Sequence, residues 1–109
     1  MDDLAEQLEG PNPPIILDVR TRSQYERDGT RIPGSVRVMP DAVEDWAVRY
    51  LAEHPDEEPH LRPIAAYCTW PDEATSARAA RRLNKLGFEA TALKGGFDAW
   101  KAKHPVEPV

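Results

Sequence analysis

Cys68 is the only cysteine among the 109 residues of the chain, and its neighbours give it a context in which a thiol can react. It directly follows the apolar run PIAAY at residues 63–67, which predicts a buried strand, and it precedes a short loop and a long helical pattern. In open α/β sheets, ligands bind beyond the carboxyl ends of the strands. A helix that starts there offers unpaired N–H groups that favour negative charge, so a thiolate at this place is a usable nucleophile.

The same cysteine has a second interpretation, because a lone cysteine often serves as a small hydrophobic residue in the core. Residue type favours the core, whereas the order of strand, cysteine, loop and helix favours chemistry. Both interpretations stay open on these grounds. A single cysteine cannot form an internal disulfide, so we expect a fold that does not depend on an oxidising compartment.

The loop after Cys68 carries two carboxylates, Asp72 and Glu73, and no Arg or Lys. Carboxylates beside a thiolate oppose its ionisation and repel an anionic substrate. Acidic residues also stabilise the first turn of a helix by ~0.3–1 kcal/mol each, and we favour this structural explanation. Even so, we expect them to compete with a bound anion for the same N–H groups. Trp70 in this loop is either a pocket wall beside the sulfur or a lid packed on the protein's own surface.

Other kinds of site chemistry find little support in the sequence. A cysteine phosphatase needs an arginine six positions after the cysteine to grip the phosphoryl oxygens, and Ala74 stands there. His54, His60 and His104 are scattered among prolines and acids without the spacing of metal ligands, so we expect no metal site. No Gly-x-Ser-x-Gly, Walker or dinucleotide-binding motif is present.

The net charge of −5 argues against broad binding to nucleic acid or to anionic membranes, which need a basic surface. A local cluster of basic residues predicts a solvated helix face, with a docking site for an anion or an acidic partner as the alternative; its members are Arg78, Arg81, Arg82 and Lys85.

The chain has no apolar run of about 20 residues that could span a bilayer. Its acidic start lacks the features of a signal peptide, so we expect a cytoplasmic location. Attachment to a larger protein stays open.

Short apolar runs that predict strands alternate with amphipathic runs that predict helices. Strands are predicted at residues 15–19, 35–39, 63–67 and 89–93, and helices at 21–28, from a cap at Asp41 through Leu51, at 72–86, and after Gly95-Gly96 through Trp100. The pattern at 72–86 is the clearest, and the predicted buried side carries Ala77, Ala80, Leu83 and Leu86. This alternation is typical of an α/β layered domain with a mainly parallel sheet.

Three groups of motifs include or flank Cys68. The first consists of Leu17-Asp18-Val19-Arg20, Tyr25-Glu26 and Ile32-Pro33-Gly34-Ser35, the second of Tyr67-Cys68 with Ser76-Ala77-Arg78, and the third of LKGGFDAW at residues 93–100. In this order and spacing they resemble the opening signature, the catalytic cysteine with the helix behind it, and the closing signature of rhodanese-like sulfurtransferase domains. The resemblance covers about residues 15–101.

The resemblance implies a three-layer α/β fold with a mainly parallel sheet of about four to five strands flanked by helices. It also implies a single domain over residues 1–109, in which residues 1–14 are a shortened N-terminal segment. Its function would be that of a sulfur carrier: the Cys68 thiolate takes a sulfane sulfur from a small donor, such as thiosulfate or a persulfide, and passes it to a thiol or to cyanide. No cofactor or metal is needed. The active loop would supply the substrate-binding backbone cradle, with residues Thr69, Trp70, Pro71, Asp72 and Glu73.

Charged residues in and near the opening motif are further candidates for supporting roles. Asp18 is predicted to anchor neighbouring loops by hydrogen bonds, and Arg20 to pair with Glu26 in the first loop. Arg31 stands where the family often has a histidine, and is predicted to be a surface residue or a source of positive charge near the pocket. Because the active loop is long and acidic, we expect weak turnover of thiosulfate or a preference for a less anionic donor. The alternative function is a non-catalytic binding or regulatory module of the same fold.

Overall fold

Strands and helices alternate along the chain as the apolar runs predict. The computed structural model of the protein describes residues 4, 8–10, 13–56, 58, 62–69 and 74–109. The strands are β1 (Ile15–Asp18), β2 (Thr30–Arg31), β3 (Val36–Arg37), β4 (Pro63–Tyr67), β5 (Glu89–Ala92) and β6 (Glu107–Pro108). The helices are α1 (Arg22–Arg27), α2 (Val43–Glu53), α3 (Ala74–Lys85) and α4 (Gly96–Lys101), with a 3-10 turn at Pro40–Ala42.

Four of the strands form a parallel sheet in the order β3-β1-β4-β5. Asp18 at the end of β1 lies opposite both Tyr67 in β4 and Arg37 in β3. The carboxyl ends of these three strands therefore meet at one edge of the sheet, and Cys68 follows β4 at this edge. β2 and β6 form a separate antiparallel pair. The predicted α/β fold with a mainly parallel sheet is confirmed.

Side chains alternate between the two faces of this sheet and produce three layers. The core on one face includes Leu17, Val19, Val43, Ala47, Ile64, Ala66, Ala79 and Leu83. The core on the other face includes Leu4, Ile16, Ile32, Ala65, Tyr67, Leu93, Phe97 and Trp100. Helices α2 and α3 thus cover the first face and α4 covers the second. No helix in the described part of the chain is long and apolar enough to cross a membrane.

The first two helices differ from prediction at their starts. Thr21 caps α1, since its hydroxyl accepts from the N–H of Gln24 while the Gln24 side chain accepts from the N–H of Thr21. Asp41, which was expected to cap the next helix, instead lies within the 3-10 turn, and α2 begins at Val43. Pro40 accounts for this difference, because its fixed φ favours the first position of a helical turn.

The buried face of α3 also departs from the predicted one. It consists of Ser76, Ala79, Ala80 and Leu83, whereas Leu86 is 38% exposed and lies beyond the helix end at Lys85. The first residue of this face is the polar Ser76, so a search for periodic hydrophobic residues does not identify the face. The predicted helix start at Asp72 lies outside the described residues. β3 is shorter than the predicted strand at 35–39.

Candidate active site

Cys68 lies one residue beyond β4 and is 1% exposed. By the alternation of the strand, its side chain points to the same face as Ala66, towards the core that α2 and α3 cover. Its Sγ atom donates a hydrogen bond to Oγ of Ser76 in α3, at 3.4 Å, and Ser76 is fully buried. The order of strand, cysteine and helix in the sequence thus brings the thiol against the helix that follows it.

Ser76 is the functional candidate that the sequence alone does not reveal. The motif Ser76-Ala77-Arg78 marks the start of a helix and assigns no chemistry to the serine. A hydroxyl hydrogen rotates, so Ser76 can accept from the Cys68 thiol and can donate to a thiolate at the same position. The sequence feature that could have indicated Ser76 is that it is a polar residue on a helix face otherwise made of alanine and leucine.

The backbone of Cys68 is fixed from the opposite side by α4. The N–H of Phe97 donates to the carbonyl oxygen of Cys68 at 2.8 Å. Gly95 and Gly96 adopt φ values of 79° and 64°, in the left-handed region that glycine enters without strain. Their turn leads from β5 into α4 and aims the N–H of Phe97 at the cysteine. The two glycines of the closing motif therefore position the main chain of Cys68.

A buried ion pair lies at the same edge of the sheet. Asp18 and Arg20 are 1% and 0% exposed, and they form two parallel hydrogen bonds, Nε to Oδ1 at 2.9 Å and Nη2 to Oδ2 at 2.7 Å. Burial alone would lower the pKa of Arg20, but the hydrogen bonds and charge of Asp18 outweigh it and raise that pKa. Arg37 donates to the backbone carbonyls of both residues. The Asp18 carboxylate therefore fixes Arg20 two positions further along the chain, and Arg37 of β3 ties down the main chain of both residues.

The predicted pairing of Arg20 with Glu26 is wrong. Glu26 instead pairs with Arg22 across one exposed turn of α1, with Nε to Oε1 at 3.1 Å. Arg20 turns back to Asp18, donates to the carbonyl of Thr30 and packs over the ring of Phe97 at 4.6 Å. Asp18 is the favoured partner because the desolvation cost of a buried guanidinium is offset by a close carboxylate that aligns with two of its N–H groups.

Tyr67, the last residue of β4, joins the turn after β2 to the strand that precedes Cys68. Its hydroxyl lies 3.2 Å from Oγ of Ser35 and accepts from the N–H of Ile32 at 3.3 Å. Burial raises the pKa of Tyr67 to about 12, so the phenol stays protonated at neutral pH. The motif Ile32-Pro33-Gly34-Ser35 is thus held against the last residue of β4, immediately before Cys68.

Arg31 lies in β2 and is half-buried. Its Nε donates to Oε1 of Glu107 in β6 at 3.0 Å, and the same oxygen accepts from the N–H of Gly34. The carboxylate offsets the charge of Arg31 and ties together the antiparallel pair of β2 and β6. Within the described residues, Arg31 therefore has a surface structural role.

Of the predicted active loop, the structure describes Thr69. The other four loop residues lie outside the described residues; these are Trp70, Pro71, Asp72 and Glu73. Thr69 lines a cavity of about 590 Å³ with residues of α1 and α4 and the loop after α1; these are Gln24, Arg27, Asp28, Gly29, Asp98 and Lys101. Across one side of it, Nζ of Lys101 lies 2.7 Å from Oδ2 of Asp28. Among the described residues, no group of three His, Cys, Asp or Glu side chains is arranged to hold a metal ion.

Comparison with known proteins agrees with this architecture. The family model described as the rhodanese-like domain matches residues 1–103. The thiosulfate sulfurtransferase GlpE of Coxiella burnetii is 30% identical, over 84% of this chain and 75% of its own. The dual specificity phosphatase ibp1 of Schizosaccharomyces pombe is 29% identical, over 89% of this chain and 81% of its own.

A solved structure shares the fold over nearly its whole length. The rhodanese-like domain of the Alr3790 protein from Anabaena sp. superposes with a TM-score of 0.63 and 33% sequence identity, covering 87% of this chain and 92% of that one. With the family model spanning nearly the whole sequence, and with the motifs meeting around Cys68 at one sheet edge, the chain belongs to the family of rhodanese-like domains.

Proposed function

We propose that the protein is a sulfurtransferase in which Cys68 carries sulfane sulfur as a persulfide. The observation that most supports this function is the position of the thiol. Cys68 follows β4 at the carboxyl edge of a parallel sheet and contacts a hydroxyl of α3, in a chain that is similar to a thiosulfate sulfurtransferase. Ligands of open α/β sheets bind at this edge.

The transfer needs two displacement steps at sulfur. In the first, the Cys68 thiolate attacks the outer sulfur of thiosulfate, a new S–S bond forms, and sulfite leaves with the electron pair of the broken bond. In the second, an acceptor thiolate or cyanide attacks the outer sulfur of the persulfide, and the Cys68 thiolate leaves. No net oxidant or reductant is required, because the transferred sulfur stays at the sulfane oxidation level in the donor, the persulfide and the product.

Ser76 and the buried pair of Asp18 and Arg20 have distinct roles in this proposal. Ser76 donates to the thiolate formed before each attack and after each departure, which stabilises the charge on sulfur. Asp18 and Arg20 position the end of β1 beside β4 and do not touch the sulfur in the proposed steps.

The donor is chosen by charge in this proposal. Asp72 and Glu73 follow Cys68 by four and five positions. Their carboxylates repel the thiosulfate dianion more than a singly charged persulfide. The preferred donor is therefore a low-charge persulfide, with slow transfer from thiosulfate.

Phosphatase activity does not follow from the similarity to a phosphatase. A phosphoryl group in a cysteine loop needs a guanidinium that grips two of its oxygens. The position six residues after Cys68 holds Ala74, which has no charge to offer.

The decisive experiment is intact mass measurement of the reduced protein after incubation with thiosulfate and, separately, with a low-charge persulfide donor. We expect addition of one sulfur atom, removed by later addition of cyanide. Cys68→Ser should show no adduct, while Thr75→Ala should keep it. If neither donor gives an adduct and the thiol titrates as reduced, the carrier function fails and the binding or regulatory module becomes the better proposal. Hydrolysis of a phenyl phosphate, measured in parallel, should stay at the buffer rate.

A further inference from the structure

The strongest feature that the proposed function leaves unused is a row of cations on α3. We call it the basic stripe, and it consists of Arg78, Arg81, Arg82 and Lys85. Positions three, four and seven apart share one face of a helix, so the four side chains stand in a single row about 10 Å long. No acidic residue occurs anywhere in α3, whose sequence is ATSARAARRLNK.

The stripe contrasts with the rest of the molecule. The whole chain has 14 basic and 19 acidic residues, so removing these four cations leaves ten basic against 19 acidic residues, a formal charge of −9. A separation of charge of this kind produces a local positive potential on a protein that is otherwise negative.

Within the part of the chain that the structure describes, Arg82 is the residue of the stripe that has polar partners. Arg82 donates to the carbonyl of Pro40 and approaches Glu44 of α2 at 3.9 Å. Arg78, Arg81 and Lys85 are exposed, and none of them forms an ion pair with a residue that the structure describes. Three cations of the row therefore face solvent.

Helix stability does not account for this arrangement. Cations near the end of a helix interact favourably with its dipole, and this explains Arg82 and Lys85 in the last turn of α3. Arg78 and Arg81 lie before that turn. Like charges four positions apart, as in Arg78 with Arg82 and Arg81 with Lys85, destabilise a helix.

The stripe begins close to the thiol. Ser76, which contacts Cys68 Sγ, lies two residues before Arg78 on α3. A partner held by the stripe is therefore bound to the same helix that contacts the thiol, within one turn of Ser76.

We infer that the basic stripe docks an acidic helix or acidic segment of a protein that exchanges sulfur with Cys68. Carboxylates spaced three and four residues apart on a helix would match the row of cations. An acidic protein fits better than nucleic acid, because duplex DNA carries one charge per about 1.7 Å and would extend past a 10 Å stripe onto the acidic remainder of the surface. The exchange of sulfur rests on the proposed function, whereas the docking itself does not.

Three synthetic helical peptides of equal length, each with one terminal cysteine, test this inference. They carry Glu, Gln or Lys at the spaced positions. We expect the persulfide form of the protein to transfer sulfur to the Glu peptide at least about tenfold faster than to the Gln peptide at low salt, with the advantage lost at high salt. The Lys peptide should be the slowest acceptor.

Charge reversal locates the effect. Arg78→Glu/Arg81→Glu/Lys85→Glu should abolish the preference for the Glu peptide while leaving transfer to cyanide unchanged, and the corresponding triple Gln variant should weaken it. The control Arg22→Glu/Lys94→Glu/Lys103→Glu changes net charge equally at exposed sites outside α3 and should keep the preference. Equal rates for Glu and Gln peptides, or equal losses in both triple Glu variants, would overturn the inference.

Fluorescence anisotropy of a labelled Glu peptide with the unmodified full chain separates this inference from the proposed function. If the Glu peptide binds through the stripe but no persulfide forms on Cys68, the inferred docking surface stands and only the proposed sulfur transfer is excluded. Absence of binding, or tighter binding of a single-stranded oligonucleotide than of the Glu peptide, would overturn the docking of an acidic protein.

Discussion

The Sγ atom of Cys68 lies 3.4 Å from the Oγ atom of Ser76, and both side chains are almost completely buried. Replacement of Ser76 by Ala removes this hydroxyl with little change in volume. Because a hydrogen bond to a charged group contributes about 1.5–3 kcal/mol, we expect persulfide formation to slow about tenfold to a hundredfold. The measurement is the rate of sulfur addition by mass spectrometry.

Two controls distinguish this role of Ser76 from a packing role. Thr75→Ala, at the neighbouring half-buried position, should leave the rate unchanged. Ser76→Thr keeps a hydroxyl and should recover part of the rate if its added methyl group is accommodated. An unchanged rate in Ser76→Ala with an unchanged urea midpoint would remove Ser76 from the mechanism.

The buried pair of Asp18 and Arg20 should dominate the stability of this edge of the sheet. Asp18→Ala leaves the guanidinium buried without its carboxylate, so we expect a loss of about 3–5 kcal/mol in the free energy of unfolding by urea. Asp18→Asn keeps an acceptor oxygen and should be less damaging. Glu26→Gln, which breaks only the exposed pair with Arg22, should change stability by no more than about 0.5 kcal/mol. Similar losses in Asp18→Ala and Glu26→Gln would contradict this account.

Asp28 should give the protein an acid-sensitive contribution to stability. Burial alone would raise the pKa of Asp28, but hydrogen bonds from Lys101 and Thr30 outweigh it and lower that pKa. A carboxyl with a lowered pKa in the folded state contributes stability above its unfolded pKa, and this is lost as pH falls through the folded value.

The test compares wild-type protein with Asp28→Asn in urea at pH 7 and at successively lower values below about pH 4. The variant should be less stable at pH 7 by about 1 kcal/mol or less, since the pair with Lys101 is partly exposed. The difference should shrink as the pH falls. A difference that grows on acidification would show the opposite sign.

The two acidic residues of the active loop should set the choice of donor. Asp72→Asn/Glu73→Gln removes two negative charges from the predicted active loop, so we expect transfer from thiosulfate to rise by about tenfold, while transfer from an uncharged persulfide donor stays nearly constant. Asp41→Asn/Asp45→Asn, at exposed positions before and within α2, is a control with the same change in net charge. Charge selection by the loop would be excluded if the loop variant accelerated transfer from both donors equally. It would also be excluded if the control variant accelerated transfer from thiosulfate as much as the loop variant does.

Much of the fold could be predicted because its signals are local. The run of five apolar residues before Cys68 gives β4, and the Gly-Gly motif gives the turn into α4. The family resemblance could then order these elements around one cysteine. Each of these features depends on residues that are close in the sequence.

The interactions within the candidate site were harder to predict because they join residues through the fold. Arg20 has carboxylates within reach on both sides along the chain, at Asp18 and Glu26, and only burial of the first decides between them. Ser76 looks like a break in the apolar pattern of α3 until the sheet places Cys68 opposite it. The link from Phe97 to Cys68 spans 29 positions and has no signature in the spacing of residue types.

This last link has a consequence for how a group bound to Cys68 can travel. The N–H of Phe97 bonds to the carbonyl oxygen of Cys68 and so fixes the main chain at residue 68 between the sheet and α4. Under the proposed carrier function, sulfur bound to Cys68 would change position mainly through rotation of this short side chain, so delivery would require the acceptor to approach this edge of the sheet.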